Sequence, residues 1–532
     1  MKPIYTLDFE TDPFKYGRDP QPFCAGLYTG EKFYSTWGDL CVEEMHKIVL
    51  SLPPGIIYAH NGGKFDFYFC MDWIANQRRL MIINGRIVQA QLWRRDEQTS
   101  EFRDSYAILP FALKKYKKFE VDFRVFERAE RESHKRTIIH RVKTDCIYLH
   151  ELCTEFYARF GDNITIGSTS MKQLKKLHKF DCLDAGQDDR IRKPYYFGGR
   201  VQCFEKGIIK PTPGEKIIAY DLNQCYPYSM RNFKHPISEP STSVSNEITK
   251  NTYFVTVYGQ NYNAFPVRMK DGLHFDVEHG QFTVSIHEYN AAVETGLFEC
   301  EDIIETVDFE KAATFDTFVD KFHGLRKEAQ LSGDKVGALF YKYVCNSAYG
   351  KFAQSPDNYF NYLISDQSTN LNPTNDPDGY IPCTIVGLQG YILWKQHSMN
   401  TSRYNVATGA SITGAARSML IHALAKAKRP LYCDTDSIVC EGLKDVEIDK
   451  TKLGAWKIEN TGDSFAIAGR KMYALFSKGE CVKMASKGVH LTAQEIVRVA
   501  KGNIVTWKKD APTFNFKTHT ASYISRHVKM TA

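Results

Sequence analysis

Alternating apolar and polar residues predict a first strand close to the N-terminus. Residues 4–12 read IYTLDFETD, so Asp8 and Glu10 share one face, because side chains two apart on a strand point the same way. A second apolar strand, residues 55–60, leads into a turn that carries Asp66. Apolar residues at helical spacing from Val142 to Leu152 predict a helix that carries Asp145.

The same analysis predicts a strand, residues 217–222, that turns into a helix and delivers Asp221. Residues 335–350 form a helical pattern. At 100° per residue, four polar or aromatic residues of this helix lie within about 60° of one another. They are Lys335, Lys342, Asn346 and Tyr349. An antiparallel helix, residues 315–331, carries Arg326 and ends at Ser332-Gly333-Asp334.

Residues 432–440, YCDTDSIVC, place two carboxylates two positions apart in an apolar stretch. Two interpretations are open from the residues alone. Asp434 and Asp436 could cap a hairpin turn, as Asp side chains often do. They could also be oxygen ligands for Mg²⁺, which binds one or two protein carboxylates together with substrate phosphate and water.

Composition limits the classes of protein to consider. The chain has 532 residues, of which 43% are hydrophobic and 25% charged, which is typical of a soluble globular protein with two to four domains. No apolar run is long enough for a membrane span, and the N-terminus does not resemble a signal peptide. The 14 cysteines are scattered without metal-site spacing, which favours reduced thiols in a cytosolic protein.

The net charge is +7, and basic residues crowd the stretch from Arg94 to Lys143. Such a stretch is either a solvated surface or a site for a polyanion, whose phosphates would add salt-dependent affinity.

Asp8, Glu10, Asp66 and Asp145 are the set of acids that two-metal phosphodiester hydrolysis requires. The segments D-x-E and N-x-x-x-F-D resemble the first two motifs of the proofreading 3′–5′ exonuclease of family B DNA polymerases. The resemblance implies that these four acids are catalytic metal ligands. It also implies that Asn61, Phe65 and Ser105 bind the single-stranded 3′ end.

The third exonuclease motif departs from the family pattern. The family has Tyr three residues before the Asp, where this chain has Arg141. The hydroxyl that orients the attacking water is then absent or comes from another residue such as Tyr148.

Three more segments resemble motifs A, B and C of the same polymerases. They are D-x-x-x-x-Y-P from Asp221, K-x-x-x-N-S-x-Y-G from Lys342 and Y-x-D-T-D-S from Tyr432. The resemblance implies that Asp221 and Asp436 bind two Mg²⁺ ions, with Mn²⁺ as a substitute, and that Asp434 is a further catalytic acid. Tyr226 then excludes ribonucleotides, and the remaining nucleotide contacts are Arg326, Lys342, Asn346 and Tyr349.

Further segments resemble DNA-contacting motifs. Y-x-G-G links the two activities in the family, T-G-A-A-R lies in the palm, K-x-Y steadies the primer terminus, and two lysines approach the backbone from the thumb. The DNA contacts implied are Tyr196, Gly198, Gly199, Thr413, Arg417, Lys471, Tyr473, Lys483 and Lys487.

The spacings favour the protein-primed subfamily. Asp221 and Lys342 are 342 − 221 = 121 residues apart, and Asn346 and Thr413 are 413 − 346 = 67 residues apart, longer than ordinary connections. Both gaps match insertions of protein-primed polymerases, although decorative surface insertions are the alternative. Segments such as YAHNGGKFDF and ASITGAARS look closest to the replicative polymerases of tectiviruses.

The expected fold is a multidomain α/β and α+β protein, with an RNase H-like exonuclease domain (1–187) before a right-hand polymerase domain (188–532). Within the polymerase domain we expect the palm at 188–231, 306–315 and 396–470, the fingers at about 316–354 and the thumb at 471–532. Terminal-protein-region insertions are expected at about 232–305 and 355–395.

The function predicted is a monomeric DNA-directed DNA polymerase that starts a linear viral genome on a terminal protein, elongates with strand displacement and proofreads. Its partners are then template and primer DNA, dNTPs, the terminal protein and a viral single-stranded-DNA-binding protein, without a membrane, in the cytoplasm of the infected bacterial host. Three rivals are a nucleic-acid-primed repair or plasmid polymerase, a catalytically decayed DNA-binding scaffold, and a DxD glycosyltransferase, which the other motifs disfavour.

Overall fold

The structure is a computed structural model. It describes residues 2–13, 20–74, 80–92, 100–113, 116, 122–242, 245–270, 272–355, 360–365, 379–386, 391–397, 404–509, 513–515 and 520–530. The chain divides into two compact units. The first comprises Met1–Thr169, Pro356–Thr401 and Lys509–Ile524, and the second comprises Ser170–Ser355, Ser402–Lys508 and Ser525–Ala532. The first division therefore lies before the predicted boundary at 187, and the segment predicted as the second insertion belongs to the first unit.

The helices follow the predicted order along the chain. They are α1 (Cys41–Ser51), α2 (Met71–Ile74), α3 (Lys135–Phe160), α4 (Ile166–Leu177), α5 (Ala185–Tyr195), α6 (Cys225–Asn232), α7 (Ile286–Glu294), α8 (Asp316–Leu331), α9 (Lys335–Phe352), α10 (Val406–Ala425) and α11 (Ala493–Ala500). The predicted helices at 315–331 and 335–350 are thus confirmed as α8 and α9. Asp334 begins α9 by accepting a hydrogen bond from the Gly337 N–H at 2.8 Å.

The strands up to residue 313 are β1 (Ile4–Thr11), β2 (Pro22–Tyr28), β3 (Phe33–Trp37), β4 (Ile56–Ala59), β5 (Leu80–Ile83), β6 (Arg86–Gln91), β7 (Glu101–Asp104), β8 (Val201–Cys203), β9 (Gly207–Ile209), β10 (Ile217–Leu222), β11 (His235–Pro236), β12 (Thr252–Asn261), β13 (Val267–Met269), β14 (Gly272–His274), β15 (His279–Ser285), β16 (Phe298–Asp308) and β17 (Ala312–Ala313). The later strands are β18 (Phe360–Ser365), β19 (Ile381–Val386), β20 (Tyr391–His397), β21 (Ala427–Lys428), β22 (Tyr432–Asp434), β23 (Ser437–Cys440), β24 (Gly442–Leu443), β25 (Trp456–Gly462), β26 (Ser464–Gly469), β27 (Met472–Ser477), β28 (Glu480–Ser486), β29 (Val505–Lys508), β30 (Thr513–Asn515), β31 (Thr520–Ser522) and β32 (Ser525–Val528).

A ten-stranded sheet organises the first unit, in the order β19-β20-β18-β5-β6-β7-β4-β1-β2-β3. At its centre β1 runs parallel to β4, and β4 runs parallel to β7. Helix α3 packs closely on β1 and β2, where the Thr6 hydroxyl donates to the Cys146 carbonyl at 2.8 Å. A Cβ on Gly26 would lie 2.3 Å from Val142, so this position needs glycine. The three elements that carry the predicted exonuclease acids therefore share one core.

Strands β18, β19 and β20, from the predicted second insertion, extend this same sheet. Their junction is the pairing of Tyr362 on β18 with Leu80 on β5. Ile364 and Leu393 join the apolar core of the first unit. This segment is therefore an integral part of the sheet and not a separate surface decoration.

A five-stranded antiparallel sheet organises the second unit, in the order β25-β10-β23-β22-β8. Helix α10 is buried along nearly its whole length and packs against α5, α6, α7 and α9. The predicted first insertion contains the three-stranded sheet β15-β12-β16 with α7, and β26 to β28 form a further sheet with β9. Within the described residues, no helix is both long and apolar enough to cross a membrane.

Candidate active sites

Four acids of the first unit come together from three elements. Asp8 and Glu10 lie on β1, Asp66 begins the 3-10 turn after β4, and Asp145 lies on α3. The Phe9 N–H donates to a carboxylate oxygen of Asp66 at 3.2 Å, which joins the turn to β1. Asp8 interacts electrostatically with the three other acids. The convergence expected from the sequence is therefore present in the structure.

Burial holds these acids in an unusual electrostatic state. Burial, and then the negative charge of Glu10, Asp66 and Asp145, raises the pKa of Asp8 well above its usual range. Burial also raises the pKa of Glu10 to about 7 and that of Asp66 to about 7, and it raises the pKa of Asp145. A carboxylate without enough positive charge nearby is costly to ionise when buried. The group therefore has the donor atoms and the uncompensated charge that a divalent cation would satisfy.

Arg141 is the positive group closest to this acid cluster. Its Nε lies 3.0 Å from a Glu10 oxygen and 3.7 Å from an Asp145 oxygen. Its positive charge lowers the pKa values of Glu10 and Asp145, in opposition to burial. Arg141 therefore has an electrostatic role here that the tyrosine of the family motif could not have. Tyr148 lies on the same helix and packs edge-on against Tyr116, with ring centroids 6.2 Å apart.

The predicted contacts for a single-stranded end differ in accessibility. Asn61 is exposed and accepts a hydrogen bond from Arg86 at 2.8 Å, and Phe65 is half-buried. Ser105 is fully buried, and its hydroxyl lies 2.9 Å from the His60 ring. The prediction that Ser105 contacts DNA is therefore corrected, because its hydroxyl instead holds the end of β4. Arg86, which the sequence analysis missed, also forms an ion pair with Asp104.

In the second unit, residues 432–440 form a hairpin with the acids at its tip. Strands β22 and β23 pair so that Asp434 faces Ser437. Thr435 has a φ of 58°, and the Asp436 N–H donates to the Asp434 carbonyl at 2.7 Å. On the neighbouring strand β10, Asp221 also lies opposite Ser437. The hairpin and the acidic-site interpretations are therefore both correct, since the turn itself places Asp434 and Asp436 beside Asp221.

Two lysines neutralise part of this second acid cluster. Lys457 Nζ lies 2.7 Å from Asp221, and Lys471 Nζ lies 2.7 and 2.6 Å from the two oxygens of Asp434. Burial, followed by the charge of Asp221, raises the pKa of Asp436 to about 6. Across the described ranges, no three Asp, Glu, His or Cys side chains are already arranged around a common ion position. Lys457 and Lys471 occupy carboxylate oxygens that an ion would use.

The predicted nucleotide contacts lie on α6, α8 and α9. Tyr226 stacks on Tyr349 with ring centroids 3.9 Å apart and planes inclined by 17°. The buried amide oxygen of Asn346 has no hydrogen-bond partner among the described residues. Burial lowers the pKa of Arg326, and Lys342 is exposed. A stacked aromatic pair, an unsatisfied amide and two cations thus line this part of the second unit.

Y-x-G-G is held against the hairpin tip. A Cβ on Gly199 would lie 2.5 Å from the Thr435 hydroxyl oxygen, and the Thr435 N–H donates to the Arg200 carbonyl at 2.6 Å. Tyr196 is half-buried and Gly198 is exposed. The second glycine is therefore required by a close approach to the acidic turn.

The T-G-A-A-R segment on α10 has a structural role and not the predicted DNA contact. Thr413 and Arg417 are only 1% and 2% exposed. Arg417 forms an ion pair with the buried Glu288 at 2.6 Å and donates to the Phe197 and Gly198 carbonyls at 2.7 Å. The prediction for these two side chains is corrected, because Arg417 uses its donors to anchor the Y-x-G-G segment from inside the fold.

Basic residues at the ends of β27 and β28 line a cavity of about 330 Å³. Its walls include the predicted DNA contacts Gly199, Lys471 and Lys487, together with Arg470. Tyr473 is buried beneath, against Tyr432. The sequence analysis missed Arg470, although its place beside Lys471 in G-R-K-M-Y was a usable signal.

Comparison with known proteins gives this arrangement a family. A family model described as DNA polymerase type B, organellar and viral, matches residues 116–452. The DNA-directed DNA polymerase of Enterobacteria phage PRD1 is 43% identical over 99% of this chain and 98% of its own length. The chain belongs to the type B DNA polymerases. This polymerase is also 25% identical to the DNA polymerase of Bacillus phage phi29, over 67% of this chain and 64% of that protein.

Solved structures agree with this assignment at the level of the fold. Phi29 DNA polymerase with primer-template DNA superposes with a TM-score of 0.75, at 19% identity, covering 100% of both chains. The same enzyme with single-stranded DNA superposes with a TM-score of 0.73, at 19% identity, covering 99% of this chain. The predicted polymerase fold with an exonuclease domain is thereby confirmed, and so is the prediction of a DNA-directed DNA polymerase.

Proposed function

We propose that this type B polymerase is a viral replicative enzyme that starts DNA synthesis on the hydroxyl group of a terminal protein and then elongates with strand displacement. The observation that carries the proposal is the 43% identity with the phage PRD1 polymerase over almost the full length of both chains. The structured segments at 252–308 and 360–397 support it, since they match the positions of the insertions in protein-primed polymerases. Action in the infected host follows from the viral assignment.

Polymerisation takes place at the acids of the second unit. Asp221 and Asp436 would hold two Mg²⁺ ions, and their oxygen donors and the raised pKa of Asp436 fit such ligands. When bound, the ions supply charge neutralisation for nucleotidyl transfer. Lys457 and Lys471 must release or share the carboxylates of Asp221 and Asp434 before these can bind an ion. Asp434 is the acid most engaged by protein, because Lys471 contacts both its oxygens.

The incoming nucleotide lies against α9. Tyr226, backed by Tyr349 at a ring separation of 3.9 Å, would press on the sugar and exclude a 2′-hydroxyl. Arg326 and Lys342 would contact the triphosphate, and Asn346 would satisfy its unpaired amide oxygen on the substrate side. The basic cavity at Lys471 and Lys487 suits the phosphates of the primer strand.

The first unit removes mismatched 3′ ends by hydrolysis. Asp8, Glu10, Asp66 and Asp145 would hold the ions that this reaction requires, and the exposed Asn61 and half-buried Phe65 would bind the unpaired end. Arg141 keeps Glu10 and Asp145 in place until the ions bind, at the cost of the hydroxyl that the family motif normally supplies.

The test of protein priming uses the protein attached to the ends of the viral genome. The polymerase, this purified protein, template DNA, Mg²⁺ and labelled dNTP are incubated together, and a labelled protein–nucleotide adduct is expected. Asp221→Ala should form no adduct. If wild-type enzyme extends a DNA primer but forms no adduct, the nucleic-acid-primed alternative replaces protein priming. If it binds primer-template and does neither, the chain is a decayed scaffold.

A second test addresses excision. Wild-type enzyme should degrade a mismatched primer in Mg²⁺, and Asp8→Ala should not, while both extend a matched primer. Equal degradation by the two proteins would place the activity elsewhere.

A further inference from the structure

A row of alternating charges runs from the polymerase acids to the surface of the second unit. Asp221 on β10 contacts Lys457 on β25 at 2.7 Å, and Lys457 also lies 3.5 Å from Glu459 on the same strand. Glu459 in turn contacts Lys483 on β28 at 2.5 Å. Neither Lys457 nor Glu459 belongs to any motif that the sequence analysis singled out.

Strand geometry explains this alignment. Lys457 lies directly opposite Asp221 in the pairing of β10 with β25, and Glu459 follows two residues later on the same face. β25 and β28 are joined where the Asn460 side chain donates to the Val482 carbonyl at 3.0 Å. The four side chains therefore have fixed neighbours, and each inner charge has an opposite charge on both sides.

Lys457 cannot neutralise two carboxylates equally. It is closer to Asp221, at 2.7 Å, than to Glu459, at 3.5 Å, and Glu459 is meanwhile satisfied by Lys483. If an anion draws Lys483 away, Glu459 loses its nearest positive charge, and its attraction for Lys457 becomes stronger. A shift of Lys457 towards Glu459 would then free the Asp221 carboxylate.

DNA is the anion that the surroundings favour. Lys483 side-chain exposure is 19%, so it is accessible from solvent. Farther along β28, the exposed Lys487 follows the end of the strand, and its N–H donates to the Lys471 carbonyl at 3.0 Å. Lys471, Lys487 and Arg470 line one basic cavity. A phosphodiester backbone along this edge would compete with Glu459 for Lys483.

We infer that Lys457 is a positioning residue of the polymerase site, which covers Asp221 in the free enzyme and moves to Glu459 when DNA takes Lys483. The site then becomes ready for its ions only after primer-template is bound. This inference rests on the proposed metal site at Asp221. Because linkage between two ligands is reciprocal, DNA should tighten metal binding by the same factor as the metal tightens DNA binding.

The experiment measures Mn²⁺ binding by the paramagnetic signal of free Mn²⁺, with full-length enzyme and without dNTP. Each titration is run alone and with saturating primer-template that ends in a 3′-dideoxynucleotide. The polymerase-site component is the binding that Asp221→Ala removes, which also subtracts Mn²⁺ held by DNA or by the first unit. In wild-type enzyme, DNA should lower the dissociation constant of this component about fivefold or more, the low end of typical couplings.

Three variants separate the steps. Lys483→Met should bind Mn²⁺ without DNA as tightly as wild type does with DNA, and DNA should add nothing. Glu459→Gln leaves Lys457 only Asp221 as a partner, so binding should stay weak with and without DNA. Lys457→Met should bind tightly in both states and should do so in the Glu459→Gln background as well. Lys457→Arg should restore the wild-type coupling.

Lys478→Met is the matched control, because Lys478 is an exposed lysine in the turn between β27 and β28. It should retain the wild-type response to DNA. The inference is overturned if Lys483→Met still shows the full DNA effect, or if Lys457→Met leaves Mn²⁺ affinity unchanged. A wild-type enzyme without any Asp221-dependent Mn²⁺ binding would instead overturn the proposed metal site itself.

Discussion

The two acid clusters meet the same chemical requirement with different electrostatics. In the first unit, four carboxylates contact one positive side chain, Arg141, and burial raises the pKa of each of them. In the second unit, three carboxylates are accompanied by Lys457 and Lys471, and Asp436 is the one whose pKa is raised. The ratio of built-in positive charges to acids therefore decides how strongly each site depends on added ions and on pH.

The largest expected effect is the separation of the two activities. Asp221→Ala or Asp436→Ala should lower primer extension on the order of a thousandfold or more, because the ligands for nucleotidyl transfer are lost. Excision of a mismatched primer should remain. Asp8→Ala or Asp66→Ala should give the opposite result.

Both assays should use the same variants and the same DNA. Loss of both activities from any one of these substitutions would mean that the clusters are not independent, and the comparison between them would fail.

The second expectation concerns pH without metal. The raised folded-state pKa values of Asp8, Glu10 and Asp66 mean that the folded first unit binds more protons than the unfolded chain. Its stability in EDTA should therefore be highest near pH 4–5 and fall as the pH rises to about 7, where Glu10 and Asp66 become ionised. The scale is about 1.4 kcal/mol per pKa unit for each group.

Hydrogen exchange resolved along the chain can follow each unit separately. The second unit should lose less stability over this range, because Asp436 contributes a single shift, to about 6. Asp66→Asn should flatten the profile of the first unit, and an unchanged profile would contradict the assignment.

A third expectation isolates Arg141. Arg141→Met removes the charge from beside Glu10 and Asp145, so the metal-free first unit should lose on the order of 1–3 kcal/mol near pH 8, as buried unpaired charges do. Mg²⁺ should then restore more stability than in wild type.

Arg136→Met is a suitable control, because Arg136 is an exposed arginine near the start of the same helix, α3. Thermal melting with and without Mg²⁺ measures both effects. Equal behaviour of the two variants would remove Arg141 from the electrostatics of the site.

The smallest expected effect belongs to the second unit alone. Tyr226→Ala removes the ring that stacks on Tyr349, and discrimination against ribonucleotides should fall about 10- to 200-fold. Tyr226→Phe keeps the ring and should keep the discrimination. Steady-state incorporation of matched dNTP and NTP pairs gives the ratio, and an unaltered ratio in Tyr226→Ala would place the discriminating group elsewhere.

Some parts of both sites could be predicted from local sequence. Asp8 and Glu10 follow from a strand alternation, and the turn between Asp434 and Asp436 follows from a short polar interval between apolar runs. Ser105, Thr413 and Arg417 were predicted as DNA contacts because their motifs are, but their side chains are buried in the fold. Burial depends on what packs against a segment, which a motif does not contain.

By itself, the sequence determined the acids, their strands and helices, and the order of the motifs, because these depend on side-chain chemistry and on the periods of strand and helix. Tertiary structure decided which cations accompany each acid. Lys457 reaches Asp221 through strand pairing across more than two hundred residues, and Arg141 reaches Glu10 through the packing of α3 on β1. It also joined strands β18 to β20 to the sheet of the first unit, since edge hydrogen bonds are satisfied by whichever strand folding brings alongside.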